Sequence, residues 1–179
     1  MMPKVLVILA NGFEEIETAC IVDILRRAGA ELCLAGLDGT EPCVGSRQMR
    51  VLPDAALDQL EGEWALIVLP GGLGGTERML QHEKLHRLLQ TQAASKRLLA
   101  AVCAAPLVLD KAGVLPARFT CHPSVRTRLE RDALEATVVD EGGVVTSRSA
   151  GTAMDFALHL VERLFGEQKR RAIEAALAR

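Results

Sequence analysis

The sequence has no tyrosine, one tryptophan and four phenylalanines among its 179 residues. A surface that stacks single-stranded bases needs aromatic faces, and this chain has few to offer. It also lacks a charge imbalance: 21 basic and 23 acidic residues leave a formal charge of −2. No field follows that would gather nucleic acid or an anionic membrane, so neither is an expected partner. The longest apolar run, residues 98–109, has twelve residues and is broken by Pro106. It is too short to span a bilayer. Cys20, Cys33, Cys43, Cys103 and Cys121 form no CxxC pair and no even-numbered framework, which favours free thiols in a reducing compartment. The apolar run at residues 5–10 is brief and acidic residues follow it, unlike a secretory leader. A cytoplasmic location is expected. Two phosphate-binding patterns also fail. A GxGxxG begun at Gly72 and Gly74 meets Glu77 at its last position, and no Gly-Lys-Ser/Thr follows.

Apolar residues make up 49% and charged residues 25%, the profile of a soluble globule. The length suits one domain over residues 1–179, able to bury roughly 70% of its unfolded surface. Short apolar runs alternate with helical patterns. Residues 5–10 (VLVILA) read as a strand covered on both faces. Residues 14–27 have helical spacing and end at Gly29, a C-cap type. Residues 31–36, 65–69 and 97–102 read as further core strands, with short ones at 119–121, 136–140 and 144–146. Residues 38–54 carry Gly39, Pro42, Gly45 and Pro53 and read as a loop or short-strand excursion. Helices are expected at 82–92, 104–111, 152–165 and 169–177. This alternation predicts a flavodoxin-like, doubly wound α/β fold: a mostly parallel sheet with helices on both faces.

In such a sheet the ligand crevice lies at the carboxyl ends of the strands. Three strand ends carry unusual residues there: Asn11 to Glu17, the run Pro70-Gly71-Gly72-Leu73-Gly74-Gly75, and Cys103-Ala104-Ala105-Pro106. Cys103 sits where an apolar strand turns into a helix, the mechanical idea of a nucleophile elbow. A helix N-terminus there would favour the thiolate. The other reading is a small buried hydrophobe. The glycine-rich loop leaves its amides free to meet an oxyanion or an oxidised sulfur; otherwise it is a plain turn. Glu14, Glu15 and Glu17 open the first helix, whose dipole accounts for two of the three. Glu17 lies one turn from Glu14 and, if buried and neutral, would act as an acid beside the thiol. His122 is a candidate base or orienting group, against the reading of a satisfied structural histidine. His82-Glu83-Lys84-Leu85-His86 matches H-E-x-x-H, but on a solvated helix without a third ligand at a recognisable spacing. No metal is expected.

The segments VLVILANGFEEIET, VLPGGLGGT, LLAAVCAAP, His122-Pro123 and TSRSAGTAMDFAL follow one another as in the ThiJ/PfpI superfamily. Over roughly residues 4 to 166 the chain resembles the branch of bacterial YajL and the parkinsonism-associated deglycase. The resemblance implies a homodimer, an oxidation-prone nucleophile at Cys103, and a protonated carboxylic acid at Glu17 touching it. It implies an oxyanion pocket from the backbone around Gly71, Gly72 and Ala104. It places His122 beside the active site, and Arg27 and Arg47 at a dimer interface near the pocket. There are departures. Ala104 stands where the PfpI-type proteases carry histidine, which disfavours an intracellular protease. Ser149-Ala150 replaces a common Gly-Pro, at a pocket wall or interface. Gly45 and Leu52 stand where the human member has secondary cysteines, so redox chemistry at those sites is not expected.

The resemblance implies a cofactor-independent, cysteine-dependent enzyme for α-oxoaldehydes such as methylglyoxal, or their glycated adducts, of glyoxalase or protein deglycase type. It would protect against carbonyl and oxidative stress. The alternative is a redox-sensing stress chaperone that uses oxidation of Cys103. A role in thiamine-thiazole synthesis has less support, because no phosphate loop is visible.

Overall fold

The computed structural model describes residues 2–179. In chain order its elements are β1 (Lys4–Leu9), α1 (Glu15–Ala28), β2 (Glu31–Gly36), β3 (Cys43–Val44), β4 (Arg50–Val51), β5 (Ala55–Ala56), β6 (Leu66–Leu69), α2 (Leu73–Leu80), α3 (Glu83–Ala94), β7 (Leu98–Val102), α4 (Pro106–Lys111), β8 (Val138–Glu141), β9 (Val144–Ser147), α5 (Ala153–Phe165) and α6 (Glu167–Ala176). Short 3₁₀ turns cover Leu57–Gln59, Pro123–Arg128 and Ala150–Thr152.

Seven strands form the central sheet in the order β5-β2-β1-β6-β7-β9-β8. All neighbours are parallel except β8 and β9. Side chains alternate across a strand, and β1 shows the consequence. Leu6 and Ile8 join the core beneath α2, α3 and α4, whereas Val5, Val7 and Leu9 join the core beneath α1, α5 and α6. A strand buried on both faces has no polar side to present, which is why β1 reads as unbroken apolar sequence. The fold is the expected flavodoxin-like α/β sandwich. Among the described residues no helix is long and apolar enough to cross a membrane.

The chain changes direction around β1, which lies between β2 and β6. In doubly wound sheets this reversal opens a ligand crevice. Here backbone fills it. A Cβ on Gly12 would lie 2.8 Å from Gly74 Cα, and one on Gly75 would lie 3.2 Å from the Phe13 nitrogen.

That contact explains the largest departure from the sequence reading. The run from Gly71 to Gly75 is not all loop: Leu73 opens an eight-residue helix that contains Gly74 and Gly75. Glycine costs a helix about 1 kcal/mol per residue relative to alanine, but a Cβ at Gly74 or Gly75 would crowd the Gly12 and Phe13 backbone at 3.3 and 3.2 Å. Residues 119–121 form no strand. Thr120 gives its amide to the Thr146 hydroxyl at 2.9 Å, so a side chain replaces a ladder partner. Ala55 and Ala56, unmarked in the sequence, add an edge strand to β2.

Candidate functional site

Three turns meet at the carboxyl edge, those after β1, β6 and β7. α1 begins with Glu14 as its N-cap, whose carboxylate accepts from the Glu17 amide at 2.8 Å. The Glu14 amide in turn donates to the Gly71 carbonyl at 2.9 Å, tying the first turn to the second. Glu17, one turn into the helix, is fully buried. Its Oε2 accepts from the Gly71 amide at 2.7 Å. Its Oε1 has no hydrogen-bond partner with proper geometry.

Cys103 follows β7 with φ +64°, the left-handed region. For a residue with a Cβ this costs roughly 1–2 kcal/mol. Two neighbours hold it there. Its amide donates to the Ser147 carbonyl at 3.0 Å, and its carbonyl accepts from the His122 amide at 2.8 Å. The side chain is partly buried and leans on the α1 and α5 core. Gly71 fills the gap between thiol and acid. A Cβ at position 71 would lie 2.5 Å from Cys103 Cβ and 2.7 Å from Glu17 Oε2. Only glycine lets these two side chains share one small space.

The electrostatics follow from that crowding. Burial pushes the Glu17 carboxyl up to about 7, against the opposing pull of the Gly71 amide and the Cys103 thiol. Burial also pushes the Cys103 thiol up to about 12, and the Glu17 charge adds to the rise. The Gly72 and Ala104 amides face the sulfur and oppose it. This corrects the sequence expectation that a helix N-terminus favours the thiolate. α4 begins at Pro106, three residues beyond the sulfur, and has only six residues. A short, displaced dipole loses to burial and to a neighbouring carboxylate. The two groups titrate as a pair, because burial and closeness disfavour negative charge on both at once.

The structure brings Cys103, Glu17, Gly71, Gly72 and Ala104 together. Gly71 differs in role from the other two amides, because its N–H is committed to Glu17. His122 adjoins Cys103 through its backbone. Its ring Nδ1 contacts the Ser124 hydroxyl at 2.8 Å and accepts the Ser124 amide at 3.2 Å, capping the turn that follows. Arg27 stands ten residues along α1 from Glu17, about 15 Å at the usual helical rise, and pairs with Asp23 at 2.6 Å. Arg47 is exposed on the turn between β3 and β4.

Glu15 anchors that turn. It is buried, and it accepts the Ser46 hydroxyl at 2.9 Å and the Arg47 amide. Burial raises its pKa, but these donors outweigh burial and the net shift is downward. Ser149 and Thr152 form a reciprocal capping box, and Thr152 also meets the buried Ser147 hydroxyl at 2.7 Å. The part played by the Ser147 carbonyl was not legible in the sequence, because only strand pairing brings it to Cys103. The histidines of the H-E-x-x-H match are engaged elsewhere. His82 Nδ1 caps α3 by accepting the Leu85 amide, and His86 Nε2 lies 3.1 Å from the Met79 carbonyl. Among the described residues no cluster of three His, Cys, Asp or Glu has metal-binding geometry.

The sequence profile of the DJ-1/PfpI family matches residues 3–163. Protein dj-1beta of Drosophila melanogaster is 41% identical over 182 residues, spanning 99% of this chain and 97% of that protein. Its crystal structure superposes with a TM-score of 0.96, at 40% identity, over 99% of this chain and 98% of that one. The glutathione-independent glyoxalase DJR-1.2 of Caenorhabditis elegans is 35% identical over 164 residues, 89% of this chain and 87% of that protein. Oxidized DJ-1 of Toxoplasma gondii superposes with a TM-score of 0.93, at 35% identity, over 98% of each chain.

Proposed function

The chain belongs to the DJ-1/PfpI family, and on that footing we propose that it is a cysteine-dependent enzyme for small α-oxoaldehydes such as methylglyoxal, or for their early adducts on proteins. The observation that carries this is the Cys103–Glu17 pair: a thiol at a strained strand-to-helix turn against a buried carboxyl with a pKa near neutrality. The 35% identity to a glutathione-independent glyoxalase supports the same reaction class.

The chemistry follows from the proton count. Glu17 as carboxylate takes the thiol proton as Cys103 Sγ bonds to the aldehyde carbon. Glu17 then gives that proton to the new oxyanion, producing a hemithioacetal. The Gly72 and Ala104 amides, which face the sulfur, would steady negative charge beside it. Glu17, again a carboxylate, removes the proton on the former aldehyde carbon and returns it to the neighbouring carbon, while the hydroxyl proton passes from the first oxygen to the second through the enediol. The product is a 2-hydroxy thioester. Water breaks the C–S bond and releases a 2-hydroxy acid and the free thiol. Methylglyoxal plus water gives lactate, with no net oxidation and no cofactor. His122 would assist through its free Nε2.

The test is methylglyoxal loss and lactate gain without glutathione or added metal. Parent protein should turn over, and Cys103→Ser should not. No turnover by fully reduced parent protein would overturn this reading.

A second reading draws on the same atoms. Peroxide would oxidise Cys103 through sulfenate to sulfinate, releasing one water per oxygen added. The unpartnered Glu17 Oε1 and the Gly72 and Ala104 amides would bind the new oxygens. The oxidized Toxoplasma relative makes the comparison apt. Client protection that depends on oxidation, with no aldehyde turnover, would favour a redox-sensing chaperone.

A homodimer in the cytoplasm belongs to the proposal as well. Ile16, Met49 and Leu52 are 56%, 52% and 66% exposed around α1 and the β3–β4 hairpin, apolar surface that suits a second copy. Sedimentation of the full chain at micromolar concentration tests it, and a monomer would overturn it.

A further inference from the structure

We propose that Arg148 is the carboxylate-binding residue beside Cys103. This rests on the aldehyde reading, because the product of that reaction is a carboxylate formed where the substrate was neutral.

The placement comes from strand register. β7 and β9 are parallel, with Val102 opposite Ser147. Parallel neighbours stand about 4.8 Å apart. The next residues, Cys103 and Arg148, therefore leave the sheet side by side at its carboxyl edge. The Cys103 amide bonds to the Ser147 carbonyl at 3.0 Å, which fixes that adjacency. The residues on either side of Arg148 are held. Ser147 is buried, and the Thr152 hydroxyl accepts the Ser149 amide at 3.0 Å. A residue between a buried strand and a capped turn has its main chain set before any ligand arrives.

The charge is the second observation. Most cations of the chain pair with a carboxylate within 4.0 Å. Arg47, Arg50, Lys96, Lys111 and Lys169 do not, but each is exposed to water. Among the described residues Arg148 alone is partly buried and still lacks a carboxylate partner. Partial burial of an unpaired charge is unfavourable, and a ligand carboxylate would relieve it. A guanidinium matches a carboxylate with two parallel hydrogen bonds. The two arginines that the resemblance brings to the pocket are poorer candidates. Arg27 is already paired with Asp23, far along α1, and Arg47 is carried on an exposed turn.

Alkylation of Cys103 tests this without any need for turnover. Iodoacetate and iodoacetamide have nearly the same shape, but only the first carries a carboxylate. Rate constants for both would be measured at Cys103 by peptide mass, in parent protein, Arg148→Met and Arg148→Lys. The ratio of iodoacetate to iodoacetamide rates should fall about ten-fold in Arg148→Met, as loss of one charge-assisted contact at a partly wet site implies. Arg148→Lys should restore most of it. An unchanged ratio in Arg148→Met overturns the proposal. Equal slowing with both reagents also overturns it, because that reports a distorted elbow and not a lost charge. Charge-selective alkylation in a protein that leaves methylglyoxal untouched would sink the aldehyde reading and keep the Arg148 site.

Discussion

Gly71 gives its amide hydrogen to Glu17 at 2.7 Å while its missing side chain leaves room for Cys103. One residue thus does two things: it orients the acid and lets the thiol reach it. Gly71→Ala would force Cβ to within 2.5 Å of Cys103 Cβ. Overpacking of this kind costs about 1–3 kcal/mol. Misplacement of reacting groups by about 1 Å costs roughly 100-fold in rate. Denaturant midpoints and methylglyoxal turnover on the same preparation should show both losses.

Glu17 makes stability depend on pH. Its carboxyl titrates at about 7 in the fold against a reference value of 4.5. The folded chain holds this proton more tightly than the unfolded chain. The stability it contributes is complete below pH 4.5, declines as pH rises, and is gone once pH passes about 7. The whole effect is on the order of 3 kcal/mol. Glu17→Gln stays neutral throughout, so its melting temperature should lack this decline between pH 5 and 8. Parent and variant melts across that range would show it, and parallel pH profiles would contradict it.

Activity should move the opposite way. The base form of Glu17 takes the thiol proton, so kcat/KM should rise through about pH 7. Glu17→Gln should lower kcat/KM by roughly 100-fold or more and leave no such rise. Initial rates with methylglyoxal from pH 5.5 to 8.5 would decide it, with those limits set at about 1.5 units to either side of the carboxyl.

Cys103 pays for its backbone. A Cβ at φ +64° is strained, and glycine at that angle is not. Cys103→Gly should therefore be at least as stable as Cys103→Ala, by about 1 kcal/mol, reversing the usual order of these residues. Both variants should be inactive. Urea unfolding of the pair isolates the backbone effect, since neither retains the thiol.

Glu15 braces the β3–β4 turn through the Ser46 hydroxyl and the Arg47 amide. Glu15→Ala should free that turn and cost about 1–3 kcal/mol for donors left unpaired. Its depressed pKa makes this contribution present above pH 4.5 and lost as pH falls through the lower folded value. Hydrogen exchange at the Arg47 amide should speed up in the variant, while exchange in β1 stays slow.

The meeting of Glu17 with Cys103 was legible because three apolar runs end in chemically odd residues, and a parallel sheet sends such ends to one rim. The alternation of apolar strand runs with helical patterns and the Gly29 cap were equally plain. The helix from Leu73 to Leu80 was hidden, because Gly74 and Gly75 are poor helix formers and their role lies in contact with Gly12 and Phe13, some sixty residues away. The Cys103 pKa was misread for a related reason. A turn before a helix suggests a thiolate, but burial and the Glu17 carboxylate are tertiary facts. The aromatic-poor composition said nothing of the Ser147 carbonyl that holds the elbow.

That carbonyl has a consequence for biosynthesis. The Cys103 amide finds its acceptor in a strand made more than forty residues later. Until β9 has left the ribosome, β7 is an open edge and the left-handed turn has nothing to hold it on that side. Between the synthesis of Cys103 and that of β9 the nascent chain therefore carries an ordinary flexible thiol. The constrained one arrives with the closing strands, at about the time the molecule is able to shelter it.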